Sequence, residues 1–290
     1  MERRIALIGA DGQIGKEFVE FFNLENLIKF TRKDFDIGDH IKVRRRLEET
    51  KPEILINTAA FHRVDECEKN SEKAFAVNSL AIKNLAEICN ENNIALVHFS
   101  TDYVFQGNKN LPYEEDDKPS PINIYGLAKL EGEKHVRNVR NHLLIRTAYV
   151  FGLGGSSQKR TNLVETLLNV GRKGDVKAVY DHIFSPTYAK DLVIKIAELL
   201  KKEKFGLYHL TNSGSCSVYE FACEIYRIEG LNPNIEKISL EEFNSNSEKA
   251  KRPRYSALNS INLKKAGISP MRKWEEALES YLKARRKDEV

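Results

Sequence analysis

The sequence predicts an α/β fold: a doubly wound parallel sheet followed by a smaller carboxyl-terminal lobe. Three observations carry this. A short apolar run, Ile5-Ala6-Leu7-Ile8, enters a glycine turn and then an amphipathic stretch through Phe22. Further short apolar runs alternate with amphipathic stretches as far as Thr147. Beyond Gly152 the alternation loosens. The predicted division is 1–150 for a dinucleotide-binding domain, with elements of about 186–210 returning to its sheet, and 151–290 mainly for a substrate-binding lobe.

The first apolar run has the length and flanks of a buried parallel strand. In Gly9-Ala10-Asp11-Gly12-Gln13-Ile14-Gly15 the glycines have separate uses. Gly9 permits the tight turn, Gly12 lets backbone approach a pyrophosphate, and Gly15 lets helix pack on strand. The helix N-terminus then faces the phosphates with free N–H groups. This is a Rossmann-type βα unit with GxxGxxG spacing. Leu27-Ile28-Lys29-Phe30-Thr31 is the second strand. Arg32 follows where an acidic residue would suit the 2′-hydroxyl of NAD, so NADP(H) is expected ahead of NAD(H); the plain alternative is a solvated loop arginine. Asp36-Ile37 begins a turn on the adenine side, and Asp39 can cap the next helix.

Pro52 to Asn57 gives the third strand, and Thr58-Ala59-Ala60 leaves its end with side chains small enough for a cofactor to lie against backbone. In the following loop Arg63 either reaches an anionic substrate or packs on the surface. Ser71 can cap a long helix through about Asn92, within which Asn78 has a structural role. Ala95 to Phe99 is the fourth strand and delivers Ser100-Thr101-Asp102-Tyr103-Val104-Phe105 to the same edge. Thr101, with Ser100 as alternative, can hydrogen-bond a carbonyl oxygen there. His98 reads as a core histidine rather than a catalyst. Gln106 to Pro121 reads as a solvent-facing turn region or flap.

Tyr125 and Lys129 are four residues apart, so a helix puts phenol and ammonium on one face. The ammonium is expected to lower a phenol pKa that is about 10 when unperturbed, which suits a general acid. Leu143 to Thr147 is a fifth strand. Gly152 to Thr161 reads as a mobile Gly/Ser-rich connection. Ser185-Pro186-Thr187-Tyr188 starts the helix carrying Asp191, Gly206 to Leu210 is a returning strand, and Ser217 with Glu220 forms a capping box. Arg252 to Leu258 is extended and basic, and Trp274 to Arg286 is a terminal helix with Trp274 in the core.

Composition narrows the function classes. The 290 residues are 41% hydrophobic and 30% charged, a globular balance with net charge +4. Cationic and anionic residues interleave, as in Arg44-Arg45-Arg46-Leu47-Glu48-Glu49, which suits solvated helix faces and argues against a nucleic-acid surface. The excess suits an anionic small ligand. Cys67, Cys89, Cys216 and Cys223 form no CxxC pair and the histidines no metal-ligand spacing, so no metal site is expected and a reducing cytoplasm fits. The apolar run after Met1-Glu2-Arg3-Arg4 is too short for a signal or membrane segment.

In order and identity these motifs resemble the extended short-chain dehydrogenase/reductases, and within them the dTDP-4-dehydrorhamnose reductase family. The resemblance runs over nearly the whole chain. Its specific parts are Ser100 to Phe105, Ser185-Pro186-Thr187-Tyr188, and Arg252-Pro253 with Ser256 and Leu258. It implies reduction of the C4 ketone of a nucleotide-linked 4-keto-6-deoxyhexose, with Thr101, Tyr125 and Lys129 as catalytic residues. It also implies Thr101, Asp102, Tyr103 and Tyr149 near the sugar, and Gly12, Gln13, Ile14, Asp36, Ile37, Ala59 and Ala60 along the cofactor. Arg63 and Arg252 are candidates for the substrate diphosphate. The chain departs from the family pattern at Tyr149, where Trp is common, and at Asp181-His182, where Asp-Gln is usual. A related reductase making a 6-deoxytalose, and a non-catalytic regulatory subunit of the methionine adenosyltransferase type, share the motifs. A homodimer and a magnesium ion are left open.

Overall fold

The computed structural model describes residues 3–22, 26–153, 162–245 and 249–288. The strands are β1 (Ile5–Ile8), β2 (Leu27–Phe30), β3 (Ile54–Asn57), β4 (Ala95–Thr101), β5 (His142–Thr147), β6 (Val150–Phe151), β7 (Asp175–Val179), β8 (Ile183–Phe184), β9 (Thr187–Tyr188), β10 (Gly206–His209), β11 (Cys216–Ser217) and β12 (Asn234–Ile238). The helices are α1 (Gln13–Phe22), α2 (His40–Thr50), α3 (Val64–Lys69), α4 (Ser71–Phe75), α5 (Ala81–Glu91), α6 (Ile124–Val136), α7 (Leu163–Gly171), α8 (Ala189–Lys201), α9 (Val218–Glu229), α10 (Leu240–Phe243), α11 (Ile261–Lys265) and α12 (Trp274–Asp288).

The central sheet has six strands in the order β10-β5-β4-β3-β1-β2, all parallel. Its inner strands are buried on both faces, as their unbroken apolar runs require. Phe18, Phe22, Leu192 and Ile196 of α1 and α8 fill one face. Val43, Leu47, Leu85, Ile88 and Val136 of α2, α5 and α6 fill the other. The strand order reverses between β1 and β3, which opens a crevice at their carboxyl ends. Gly9 and Asn57 to Ala60 stand there.

A second core gathers α7, α9, α12 and the short strands around Phe151, Phe184, Phe221 and Tyr281. Trp274 belongs to it, and the Ser217–Glu220 capping box starts α9. α8 and β10 lie instead in the layers of the central sheet. Residues 154–161 of the Gly/Ser-rich connection lie outside the described residues.

Three local expectations change. The helical run after Ser71 is not one α-helix: a π turn, Ala76–Leu80, separates α4 from α5. Inside it Asn78 accepts from Phe61 N–H (3.0 Å) and donates to Phe61 C=O (2.9 Å), clamping the loop after β3. A π turn shifts a side chain's bearing, and that serves this clamp. Thr187 and Tyr188 pair as β9 before α8 begins. The segment Gln106 to Pro121 is pinned, not a free flap. Tyr113 is buried and stacks on Phe105 at 4.2 Å. Buried Glu115 accepts from His209 N–H, Ser260 Oγ and Ile261 N–H.

α6 lies close to its neighbours because it carries glycine where they touch. A Cβ at Gly126 would meet Tyr103 O at 2.1 Å, and one at Gly132 would meet Asn78 O at 2.2 Å. Its start is capped by Asn123, whose side chain accepts from Gly126 N–H and donates to Lys251 C=O. Its far turn is fixed by a fork: Arg146 Nε and Nη2 donate to Glu133 Oε1 and Oε2 at 2.8 and 2.7 Å, with both side chains fully buried. Removing one partner of such a pair strands the other charge. Glu133→Ala should therefore cost about 3–5 kcal/mol of stability in urea unfolding, and Glu133→Leu with Arg146→Met should recover part of that loss.

Candidate active site

One cavity of about 880 Å³ runs along the carboxyl edge of the sheet. At one end lies the glycine turn. Gly9 has φ +82°, a backbone that L side chains rarely adopt. A Cβ at Gly15 would stand 2.0 Å from Gly9 O, so Gly15 seats α1 on the turn and does not line the cavity. Gly9, Gly12, Gln13 and Ile14 do line it. At the start of α1 the Gln13 and Ile14 N–H groups precede the first intrahelical bond, and both residues line the cavity. A turn without side chains at a helix N-terminus fits the pyrophosphate of a dinucleotide.

Beside it Arg32, Asp36 and Ile37 line the same end, with Thr31, Phe35 and Ala59. Asp36 Oδ1 accepts from Gly38 N–H and shapes that turn. Arg32 is exposed and has no ion pair or hydrogen bond among the described residues. Ala59 and Ala60 form the floor. Asn57 Oδ1 accepts from Ala59 N–H at 3.1 Å, which orients the amide.

That orientation propagates inward. The Asn57 amide NH2 faces His98 Nδ1 at 3.1 Å, so Nδ1 accepts and the neutral ring carries its hydrogen on Nε2. His98 Nε2 faces Lys129 Nζ at 3.3 Å. An ammonium has no lone pair to offer that N–H. Burial, only partly offset by Glu133, lowers Lys129 to about 8. Burial and the nearby Lys129 hold His98 well below the usual imidazole range. His98 is thus a core residue behind the cavity wall.

At the middle of the cavity Thr101, Asp102, Tyr125 and Lys129 come together. β4 ends at Thr101, and a 3₁₀ turn, Asp102–Val104, follows. Thr101 Oγ1 donates to Asp102 Oδ1 at 2.9 Å and accepts from Tyr103 N–H. Asp102 is fully enclosed, and its Oδ2 has no hydrogen-bond partner among the described residues. Burial pushes this carboxyl up to about 7, against the pull of the neighbouring Ser256 and Thr101 hydroxyls. Tyr125 departs from expectation. Its phenol is raised, not lowered, because removal from water outweighs the Thr101 hydroxyl, and Lys129 is not among the groups that move it. Enclosure, not the neighbouring ammonium, sets this phenol.

The other end is built by Tyr103, Tyr149, His182 and Arg252. Tyr149 has φ +42°, an uncommon conformation for an aromatic residue, and its ring lies tilted against Phe184, 3.9 Å between centroids. Tyr103 Oη lies 3.2 Å from Tyr149 Oη, which lies 2.6 Å from His182 Nε2. Arg252 is braced by Asp65, at 3.0 and 3.1 Å, and by Ala250 C=O. Arg63 is not part of the cavity: it is exposed and pairs with Glu66, while His62 lines the wall. Among the residues that sequence reasoning did not place here are His62 and His182. His182 comes from the far lobe, and the only sequence signal was its unusual side chain after Asp181.

The model of the RmlD substrate binding domain family matches residues 3–287. The chain belongs to the dTDP-4-dehydrorhamnose reductase family. It is an oxidoreductase of that kind. It is 39% identical to the spore coat polysaccharide biosynthesis protein SpsK of Bacillus subtilis, over 97% of this chain and 98% of that one. The crystal structure of a dTDP-4-dehydrorhamnose reductase from Clostridium acetobutylicum superposes with TM-score 0.91 at 33% identity, covering 97% of this chain and 99% of that one. The Bacillus anthracis dTDP-4-dehydrorhamnose reductase in complex with NADP gives TM-score 0.90 at 35% identity, with the same coverage.

The Asp102 geometry has a measurable consequence. A carboxyl at 3.8 in the unfolded chain and about 7 in the fold keeps its proton longer when folded. Stability is then fully present below about pH 4 and is lost as pH rises toward 7, by a total on the order of 4 kcal/mol. Asp102→Asn should flatten that part of the profile, read as the urea midpoint against pH.

Proposed function

We propose that this chain reduces the C4 ketone of a nucleotide-linked 4-keto-6-deoxyhexose, with dTDP-4-dehydro-L-rhamnose as substrate and dTDP-L-rhamnose as product. NADPH is the preferred reductant over NADH. The observation that carries the reading is one continuous cavity, with a glycine turn at one end, Thr101, Tyr125 and Lys129 at its middle, and Tyr103, Tyr149 and Arg252 at the other. The nearly full-length likeness to reductases of this name supports it.

Gly12, Gln13 and Ile14 would hold the cofactor pyrophosphate, Arg32 a 2′-phosphate, and Lys129 the nicotinamide ribose. When bound, the reduced nicotinamide supplies the hydride that turns the ketone carbon into an alcohol. Negative charge develops on the ketone oxygen, and Tyr125 gives it the phenolic proton. The raised pKa keeps that proton in place until the oxygen becomes basic. Lys129, one turn along α6, offsets the phenolate left behind. Thr101 has one hydrogen. With Asp102 ionised that hydrogen goes to Oδ1; with Asp102 protonated the carboxyl can donate to Thr101, and the hydroxyl is free to bond the ketone oxygen. Arg252 supplies positive charge for the substrate diphosphate.

The deciding assay is NADPH oxidation with dTDP-4-dehydro-L-rhamnose, followed by identification of the sugar. Oxidation yielding the 6-deoxytalose sugar would overturn the stereochemistry, and no oxidation with any ketosugar, together with a stable complex with a synthetase, would overturn the reductase reading. Tyr125→Phe should remove most turnover, with kcat down roughly 100-fold or more, while NADPH binding by fluorescence stays within about twofold. Arg32→Ala should raise the apparent NADPH constant about tenfold and leave the NADH constant nearly unchanged; equal effects would count against Arg32 as the phosphate ligand.

A further inference from the structure

The hydrogen bonds at the sugar end of the cavity run in one direction. His182 Nδ1 lies 2.6 Å from Pro253 C=O. A carbonyl only accepts, so Nδ1 carries the ring hydrogen. His182 is buried and neutral: burial lowers it to about 4. Its Nε2 must therefore accept, and the Tyr149 hydroxyl, 2.6 Å away, must donate to it. Tyr149 has then used its only hydrogen. The contact of 3.2 Å to Tyr103 requires Tyr103 to donate to Tyr149. Tyr103 Oη has no further partner among the described residues, and its side chain is buried in the cavity wall. It is left with lone pairs and no hydrogen.

We propose that the Pro253–His182–Tyr149–Tyr103 chain is a polarity filter, which presents Tyr103 Oη as a hydrogen-bond acceptor and so selects a ring hydroxyl of the ketosugar at that place. It rests on the nucleotide-ketosugar reading above. A hydroxyl can donate to Tyr103. A hydrogen atom there loses the bond, and fluorine or a carbonyl oxygen sets lone pair against lone pair. His182 touches no substrate in this arrangement. It is a positioning residue that acts through Tyr149, and Tyr103 is the residue that meets the sugar.

The alternatives are excluded by the same bonds. If Tyr149 donated to Tyr103, His182 Nε2 would face an oxygen without a hydrogen at 2.6 Å. If His182 were charged, Nε2 would donate to Tyr149, whose hydrogen would turn to Tyr103 and free the Tyr103 hydrogen for the cavity. The carbonyl of Pro253 and the enclosure of the ring together select the first pattern.

The test uses the full chain with two readouts. First, wild type is assayed with the parent 4-ketosugar and NADPH; absence of turnover would sink the reductase reading itself. Second, calorimetry measures equilibrium binding of the reduced nucleotide sugar and of its analogues with fluorine in place of the C2 or the C3 hydroxyl. Wild type should bind one of the two analogues about tenfold or more weakly than the parent, the size of one hydrogen bond. Tyr103→Phe should bring parent and analogue within about twofold. His182→Gln should preserve the discrimination, because an amide N–H can serve Pro253 while its oxygen accepts from Tyr149. His182→Phe should abolish it, and Tyr149→Phe should do the same by a substitution that keeps the imidazole. Discrimination at neither position in wild type would overturn the proposal. So would equal weakening of all ligands in the His182 variants with their ratio unchanged, the signature of a merely structural histidine.

Discussion

The buried fork between Arg146 and Glu133 fixes where the chemistry can happen. Glu133 sits one turn beyond Lys129 on α6, and Arg146 sits on β5. Two short charge-assisted bonds hold them, and Ser100 of β4 adds a third to the same carboxylate at 2.6 Å. The guanidinium also lies over Phe105 and beside His209 of β10. Three parallel strands thereby grip one turn of one helix. A buried pair must be met by complementary groups on all sides, so α6 has one permitted rotation about its axis. That rotation turns Tyr125 and Lys129 toward the cavity, and the carboxylate that anchors the helix is also the charge that keeps Lys129 from losing its proton more readily.

Within the cavity, enclosure outweighs proximity of charge. Tyr125 is raised, Lys129 lowered and Asp102 brought near neutrality, each with burial as the leading cause. All three move toward their uncharged forms, as expected where water is excluded. The hydrogen-bond directions are then decided by groups that cannot titrate: Ala59 N–H fixes Asn57 and through it His98, and Pro253 C=O fixes His182 and through it Tyr149 and Tyr103. The backbone sets the polarity of both ends of the site.

Much of this was legible in the chain because the signals are local. Strand, glycine turn and helix lie within Ile5 to Phe22, and the Tyr125–Lys129 spacing is one helical turn. What was not legible depends on distance in sequence. His182 reaches Tyr149 through 33 positions and Pro253 through 71. The loop 106–121 looks polar and solvent-facing, yet Glu115 is consumed by backbone and hydroxyl donors more than 90 positions away. Arg63 and Arg252 look alike as isolated cations. Only Arg252 lines the cavity, because Asp65 turns it there, whereas Arg63 spends its charge on Glu66 three residues along. The upward displacement of Tyr125 was missed for the same reason: spacing shows that an ammonium is near, but not that both groups are enclosed.

The two glycines of α6 bear on how the chain reaches this arrangement. Residues 126 and 132 each lower intrinsic helicity by about 1 kcal/mol relative to alanine. A segment of this length is already marginal as an isolated helix. It gains its order from the Tyr103 and Asn78 carbonyls that its bare backbone touches, and those belong to elements formed earlier in the chain. The proton-donor segment is therefore expected to become helical only against the surface that the 3₁₀ turn after β4 and the π turn provide. The reacting groups therefore order on that surface, and Arg146 of β5, later in the chain, locks them in place.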